Sequence, residues 1–259
     1  MVYEDLRGKV VLVTGGSRGI GRAMALAFLG AGARVAVNYK THEAAARDLK
    51  QKAGSDLGIF QADVSVREEV KNMFLEIKKS FGDVDVLVNN AGVMKTSTID
   101  SFDEKFFMDM FRVNVLGTIY CTLEALPAMK KKHHGSIVNV TSNAVLGTAV
   151  AGTTYYAMTK AAVMMFTRRL AFEEGSNGIR ANALAPGWTE TDMTAAGRAE
   201  EEVTKTKRSY VEKTALGYVG KPEDMAKLAL FLASDDSWPM TGQMLVADGG
   251  RLDNLSHSL

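Results

Sequence analysis

Tyr156 and Lys160, in "TTYYAMTKAA" (153–162), are four residues apart. In a helix that spacing puts both side chains on one face. A free phenol ionises near about 10, too high for a general base close to neutrality. A neighbouring ammonium favours the phenolate and so opens proton exchange with a carbonyl or carbinol oxygen. Tyr155 shares its face with Thr159 instead of a cation, and reads as a packing residue. A Y-x-x-x-K pair alone is weak, because both residue types are common on helices.

Other chemistry-bearing residues converge on that pair. Ser142 closes an apolar run, "SIVNVTS" (136–142), and its hydroxyl is placed to hydrogen-bond a substrate oxygen. "VNNAG" (88–92) closes another run in the same way. Asn114, in "FRVNVLG", is an amide inside an apolar helical stretch, an expensive choice without a partner. It reads either as the ligand of a water that connects Lys160 to solvent or as a satisfied core amide. His133 and His134, in "MKKKHHG", read as a solvated basic helix end. No H-E-x-x-H and no Cys/His cluster points to a metal. Cys121 is the single cysteine and reads as a small buried hydrophobe.

The elements that must position these residues alternate regularly. "KVVLVTG" (9–15), "RVAVN" (34–38), "VDVLVNN" (84–90), "SIVNVTS", "RANALAPG" (180–187) and "QMLVADGG" (243–250) have the unbroken apolar character of strands buried on both faces. "LGIFQAD" (57–63) is a weaker strand of that kind. Helical spacing fills the intervals, including one long stretch over 103–132. This rhythm predicts an α/β, doubly wound parallel sheet with helices on both faces, in one domain spanning 1–259. The charged segment 189–220 breaks the rhythm and reads as solvated surface helices or as a lid over a substrate.

Between the first strand and the first helix lies "VTGGSRGIGRA", with Gly15, Gly19 and Gly21 in a T-G-x-x-x-G-x-G pattern. Glycines there permit a tight turn and close approach of backbone to a phosphate, which the helix N-terminus then favours. No G-K-[S/T] follows, so a P-loop is disfavoured. Where a carboxylate would bond the ribose of NAD, this chain has Asn38, followed by Tyr39 and Lys40. Asn and Lys do not repel a 2′-phosphate, and Arg18 supplies a guanidinium to it. NADP is therefore expected in preference to NAD, unless both cations are merely solvated. Asp63 reads either as an acceptor for the adenine amino group, with Val64 beside the ring, or as a helix N-terminal residue. The positive ring of an oxidised nicotinamide would further favour a Tyr156 phenolate.

Composition narrows the class. The 259 residues carry a formal net charge of +1, with 46 % hydrophobic and 24 % charged residues. Bulk attraction to nucleic acid or to a membrane surface is not expected. No apolar run approaches the roughly 18 residues of a membrane span, and the N-terminus lacks a signal-like pattern, so a cytoplasmic protein is expected.

Taken in order, "KVVLVTGGSRGIG", "VLVNNAG", "VNV", "SIVNVTS", "YAMTK", "LAPGW" and "LVADGG" resemble the short-chain dehydrogenase/reductase family along essentially the whole chain. The resemblance implies a seven-stranded Rossmann sheet and a catalytic tetrad of Asn114, Ser142, Tyr156 and Lys160. It implies that Lys160 also bonds the nicotinamide ribose and lowers the Tyr156 pKa. Cofactor contacts are implied from the turn containing Ser17 and Ile20, from Asn90, Ala91 and Gly92, and from Pro186, Gly187 and Thr189. It implies a homotetramer that pairs helices around 103–126 and 155–174, and the last strand with the helix before it.

Within the family the chain most resembles 3-oxoacyl-acyl-carrier-protein reductases, through "TGGSRGIG", "VNY" and "APGWTETDM". That implies a small carbonyl or alcohol substrate, carried on acyl carrier protein or coenzyme A. Met94, Val145, Ala151, Trp188 and Met193 are the pocket-lining candidates, against a reading as core packing. Where such reductases use cations to dock an acidic carrier, this chain has His133 and Asn177, with Lys130 to Lys132 as a substitute patch. The long 189–220 segment and the tail "RLDNLSHSL" also depart from those relatives. A sugar, polyol or other secondary alcohol is the alternative substrate, and a non-catalytic dinucleotide sensor is the alternative of another class.

Overall fold

The structure, a computed structural model, describes residues 3–148, 150–191, 194 and 199–253. Seven strands form one parallel sheet: β1 (Val10–Val13), β2 (Arg34–Tyr39), β3 (Leu57–Gln61), β4 (Val86–Asn89), β5 (Gly135–Val140), β6 (Ile179–Pro186) and β7 (Met244–Ala247). Their order is β3-β2-β1-β4-β5-β6-β7. The chain winds outward from β1 in one direction, then crosses to β4 and winds outward in the other. The crevice at the carboxyl ends of β1 and β4 is thus the switch point where ligands bind in such sheets.

Strands with no polar alternation form because both faces are covered. Val11 and Val13 join a core with Met24 and Phe28 of α1 (Gly19–Gly30) and Met225 and Leu232 of α8 (Pro222–Ala233). Leu49 of α2 (Glu43–Ala53) lies in that same core. Val10 and Leu12 point the other way. They meet Val70 and Met73 of α3 (Arg67–Phe81), Cys121 of α5 (Gly117–Lys132) and Leu170 of α6 (Thr154–Glu174). The Cys121 thiol is buried and pushed up to about 12 by that burial, which leaves it inert.

Two sequence expectations are corrected. The stretch 103–132 is not one uninterrupted helix. It runs as α4 (Glu104–Phe111), a π-helical turn over Arg112–Leu116, and α5. Asn114 lies inside that turn, and such bulges recur at functional sites. The fifth strand stops at Val140, short of Ser142. Thr141 gives its N–H and its hydroxyl to Leu184 O, and Ser142 then caps a short 3-10 turn through its bond from Ala144 N (3.2 Å).

The far end of the sheet is held by Arg180, at the start of β6. Its buried guanidinium donates to Leu232 O (3.1 Å), Ala233 O (3.3 Å) and Ser234 O (2.9 Å). Those carbonyls end α8, where acceptors are left over and the helix dipole favours a cation. The segment 189–220 leaves and rejoins the body at one neck, where Thr189 pairs with Gly220 and Glu190 N bonds Gly220 O (3.1 Å). Its described helix is α7 (Glu200–Glu212). Among the described residues, no helix is long and apolar enough to cross a membrane.

Candidate active site

The crevice between β1 and β4 is built largely from backbone. Gly15 and Gly19 take φ values of 61° and 54°, which side chains disfavour. A side chain on Gly15 would also press on the Ala91 backbone at 3.0 Å, so the turn and the segment after β4 touch. At Gly21, the Asn90 amide and the Gly15 carbonyl occupy the space a Cβ needs. The two segments are bonded as well as packed. Thr14 Oγ1 accepts from the N–H groups of Asn90 and Ala91, both at 3.0 Å. Asn90 Nδ2 donates to Thr14 O at 2.9 Å. The role of Thr14 is not legible in the sequence, because the partners of its hydroxyl lie 76 and 77 residues away.

This crevice opens into a cleft of about 490 Å³ lined by Gly15, Ser17, Arg18, Gly19, Ile20 and Gly21 at one end. Ser17 is buried and Arg18 is exposed beside the start of α1, where no side chain caps the helix. The turn and the first residues of that helix line the cleft, and the uncapped N–H groups of a helix start fit the pyrophosphate of a dinucleotide. Asn38, Tyr39, Lys40, Asp63 and Val64 line the same end.

The reading of Asn38 changes. Its carboxamide is buried and bonded inward, accepting from Gly15 N (3.2 Å) and donating to Ala62 O (2.9 Å). It braces the glycine turn; its amide is engaged there. Lys40 is not merely solvated, since its ammonium lies 2.5 Å from Asp63 Oδ2. Asp63 also accepts from Ser65 N (3.0 Å) and Ser65 Oγ (2.6 Å), in a turn before α3. Burial works to raise the Asp63 pKa, yet the Lys40 and Ser65 bonds outweigh it and hold the carboxyl below its usual range.

The expected tetrad side chains come together near the middle of the cleft. Ser142, Tyr156 and Lys160 line it, and a Cβ on Gly92 would touch both Asn114 Oδ1 and Lys160 Nζ at 3.3 Å. Asn114 Oδ1 accepts from Val93 N (2.8 Å), while its Nδ2 donates to Val93 O (3.0 Å) and Thr159 Oγ1 (3.0 Å). Asn114 therefore ties the π turn to the segment after β4 and to α6, and its side chain is satisfied by protein. Thr159, set aside in the sequence as a neighbour of Tyr155, is one of those partners. Tyr155 packs against Phe102 with ring centroids 4.9 Å apart, and its hydroxyl donates to Ile99 O at 3.1 Å.

The expected direction of the Tyr156 pKa is corrected for the protein alone. Burial pushes the phenol up to about 12, against the opposing pull of its hydrogen bond with Ser142. Burial also lowers Lys160 to about 8. The ammonium lies 5.8 Å from the Tyr156 ring centroid and donates to Val140 O at 2.9 Å. Desolvation thus outweighs the attraction that the spacing suggested.

At the outer end, Met94, Ala151, Pro186, Gly187, Trp188 and Thr189 line the cleft. Val145 is not among its lining residues; Ala144, one position earlier in the short 3-10 turn, takes that place. Met193 lies outside the described residues. Tyr210 of α7 and Arg251 also line the cleft, and the sequence had no periodic signal to connect them. Trp188 stacks on Tyr210 with centroids 5.6 Å apart.

The basic helix end is exposed from Lys130 to His133, as expected, and several of its groups have partners. His134 stacks on Trp238 and its Nε2 lies 3.3 Å from Asp235 Oδ1. Lys130 pairs with Glu174 (2.7 Å) and Lys132 with Asp85 (2.6 Å). Asn177 bonds the same Glu174 at 2.8 Å. Among the described residues, no three His, Cys, Asp or Glu side chains cluster to hold a metal ion.

A parallel sheet with a glycine turn at its switch point and an ionisable pair beside it defines a dinucleotide-binding oxidoreductase of the Rossmann type. The family model described as "Enoyl-(Acyl carrier protein) reductase" matches residues 15–251. The chain belongs to the short-chain dehydrogenase/reductase family. It is 39 % identical over 249 residues to a 3-oxoacyl-[acyl-carrier-protein] reductase of Chlamydia muridarum, covering 95 % of this chain and 98 % of the relative. It is 38 % identical to 3beta-hydroxysteroid dehydrogenase 1 of Eggerthella lenta, covering 96 % and 95 %. Among solved structures it resembles a putative gluconate dehydrogenase from Agrobacterium tumefaciens, with a TM-score of 0.89 and 32 % identity over 98 % of this chain and 100 % of that one.

Proposed function

We propose that the protein interconverts a carbonyl and a secondary alcohol with NADPH, and that its substrate is a 3-oxoacyl thioester carried on acyl carrier protein or coenzyme A. The observation that carries this reading is the convergence of Ser142, Tyr156 and Lys160 on one dinucleotide cleft, with Asn114 Oδ1 and Lys160 Nζ both beside Gly92. Bound there, the cofactor supplies the hydride. The residues supply the proton and the placement. A phenol with a pKa of about 12 is a neutral O–H at physiological pH, suited to protonating the developing alkoxide. Ser142 offers a second hydrogen bond to that oxygen. Lys160 orients the Tyr156 face of α6 and stays largely charged at neutral pH. Asn114 positions the π turn, with Asn90, Ala91 and Gly92 along the cofactor wall and Pro186, Gly187 and Thr189 opposite.

NADPH is preferred in this reading because no carboxylate replaces Asn38, and because Lys40 and Arg18 lie at the adenosine end. Asp63 opposes part of the Lys40 charge, which makes NAD the alternative. The relatives support a thioester first. The pairing of Lys130 and Lys132 with acids weakens the patch that would dock an acidic carrier, and favours a free secondary alcohol, sterol or sugar as second reading. We further propose one domain, a cytoplasmic setting, 189–220 as a lid, and a homotetramer. Met158, Met165 and Phe172 recur every seven residues along α6 as an exposed apolar stripe, with Phe172 77 % exposed. A sedimentation mass of one copy would refute the tetramer.

The deciding experiment measures nicotinamide absorbance with NADPH and with NADH against acetoacetyl thioesters, ketosteroids and sugar lactones, and against the matching alcohols. Thioester reduction with NADPH favoured is the expected result. Preference for NADH overturns the cofactor assignment, and turnover confined to sugars or sterols overturns the substrate.

A further inference from the structure

We infer that Trp188, Tyr210 and Arg251 form a specificity wall that holds the apolar chain of the substrate, with Arg251 acting through Tyr210 as a positioning residue. This deepens the carbonyl-reduction reading and rests on it.

The arrangement begins at the reacting end. Trp188 follows Gly187 directly and is half-buried in the cleft. Its ring lies 26° from the plane of Tyr210, which comes from α7 across the cleft mouth. Beneath Tyr210, the Arg251 guanidinium carbon sits 4.4 Å from the ring centroid. Trp188, Tyr210 and Arg251 are thus layered, joining the segment after β6, the outer helix and the segment after β7.

A guanidinium in a cleft suggests a receptor for an anionic substrate, but its surroundings argue otherwise. The Arg251 side chain is only 3 % exposed. Its Nε and Nη2 both bond the Asp253 carboxylate, the latter at 2.9 Å. Lys213, at the end of α7, also reaches that carboxylate, at 3.4 Å from the Oδ2 that Nη2 bonds. Asp253 therefore already meets Arg251 in the bidentate geometry an incoming carboxylate would need. A weakly hydrated guanidinium over an aromatic ring is a favourable cation–π contact, and the buried charge stays paired. What the cleft receives from this side is the aromatic cover, in a cleft that Met94 and Ala151 also line. Backbone pairing fixes the base of the wall. Thr214 bridges Arg251, and Leu252 N bonds Lys213 O at 3.0 Å. The outer helix is thereby tied to the C-terminal segment beside Tyr210.

An aromatic wall of this kind discriminates by chain length. Burying one methylene against it raises kcat/KM by roughly threefold to fourfold. The test uses a homologous series of 3-oxoacyl N-acetylcysteamine thioesters, of neutral 2-alkanones and of the matching ω-carboxylate ketones, with the full chain and its cofactor. In the wild type, kcat/KM is expected to climb by about threefold per methylene over several carbons, mainly through KM. Tyr210→Ala and Arg251→Met are expected to flatten that climb below about twofold per methylene, with the cofactor dissociation constant kept within about twofold. Arg251→Lys keeps a charge for Asp253 but loses the guanidinium contact with the ring, and is expected to fall between the wild type and Arg251→Met. Tyr210→Leu repeats the test without an emptied volume if Tyr210→Ala does not fold. An unchanged slope in the variants overturns the wall. So does a loss in Arg251→Met confined to carboxylate-bearing ketones, which would make Arg251 an anion receptor. A wild type that turns over the series with no slope overturns the wall alone. A wild type that turns over no ketone overturns the carbonyl-reduction reading beneath it.

Discussion

At the dinucleotide end of the cleft, backbone and short side chains are bonded to one another across the β1–β4 crevice: Thr14 to Asn90 and Ala91, Asn38 to Gly15 and Ala62. At the substrate end, contacts are made by large side chains from three separate segments, and Met94 remains exposed. The first end is cross-linked at or directly beyond the ends of β1, β2, β3 and β4, so its segments move together. The second is carried by the neck at Thr189 and Gly220 and by the stack on Arg251. A family can therefore keep one cofactor chemistry while its substrates change. Differences at the outer end cost little to the core, whereas an added methyl in the turn is met at once by backbone.

Perturbing the two ends separately should separate their roles. The largest effect is expected where they meet. Tyr156→Phe removes the proton donor and should lower kcat by roughly 10²- to 10⁴-fold. Cofactor affinity, read by fluorescence titration, should stay near wild type. A variant with wild-type kcat would remove Tyr156 from the chemistry.

A smaller loss is expected at the dinucleotide end. In Gly21→Ala the new methyl meets the Gly15 carbonyl and the Asn90 amide, so the turn must shift. We expect about 1–3 kcal/mol of lost stability in urea unfolding. Cofactor binding should weaken by about tenfold or more, about 1.4 kcal/mol or beyond. Intact affinity in that variant would mean that the turn is as pliable as the outer end.

The smallest effect is a slope. Lys160 ionises near 8 in the folded protein, against an ordinary value of 10.5, because burial disfavours the ammonium. Between those two values the unfolded chain binds more protons than the folded one, so stability rises with pH. The wild-type urea midpoint should climb relative to Lys160→Met between about pH 8 and pH 10.5. Parallel curves would show that the lysine is solvated, and would assign the Tyr156 shift to another cause.

The strands were legible because burial on both faces leaves an unbroken apolar run, and the glycine turn because backbone geometry dictates residue type. Tyr156, Lys160 and Ser142 were legible from spacing and from their place after strands. Asn114 stood out as a polar residue in an apolar stretch, but the π turn around it did not. An extra residue in a helical turn leaves no mark on periodicity. Asn38 was read outward, as a neighbour of the ribose, when its amide is turned inward to Gly15 and Ala62. The segment 189–220 announced itself only by length and charge.

By itself, then, the sequence determined what local rules can encode: the alternation of strands and helices, the turn that admits a phosphate, and the helical pairing of a phenol with an amine. Only the tertiary structure decided how strongly the surrounding protein desolvates that pair. It also decided that Lys40 meets Asp63, and that Tyr210 covers Arg251. These outcomes depend on dielectric surroundings and on contacts between residues remote in the chain, and no local pattern carries that information.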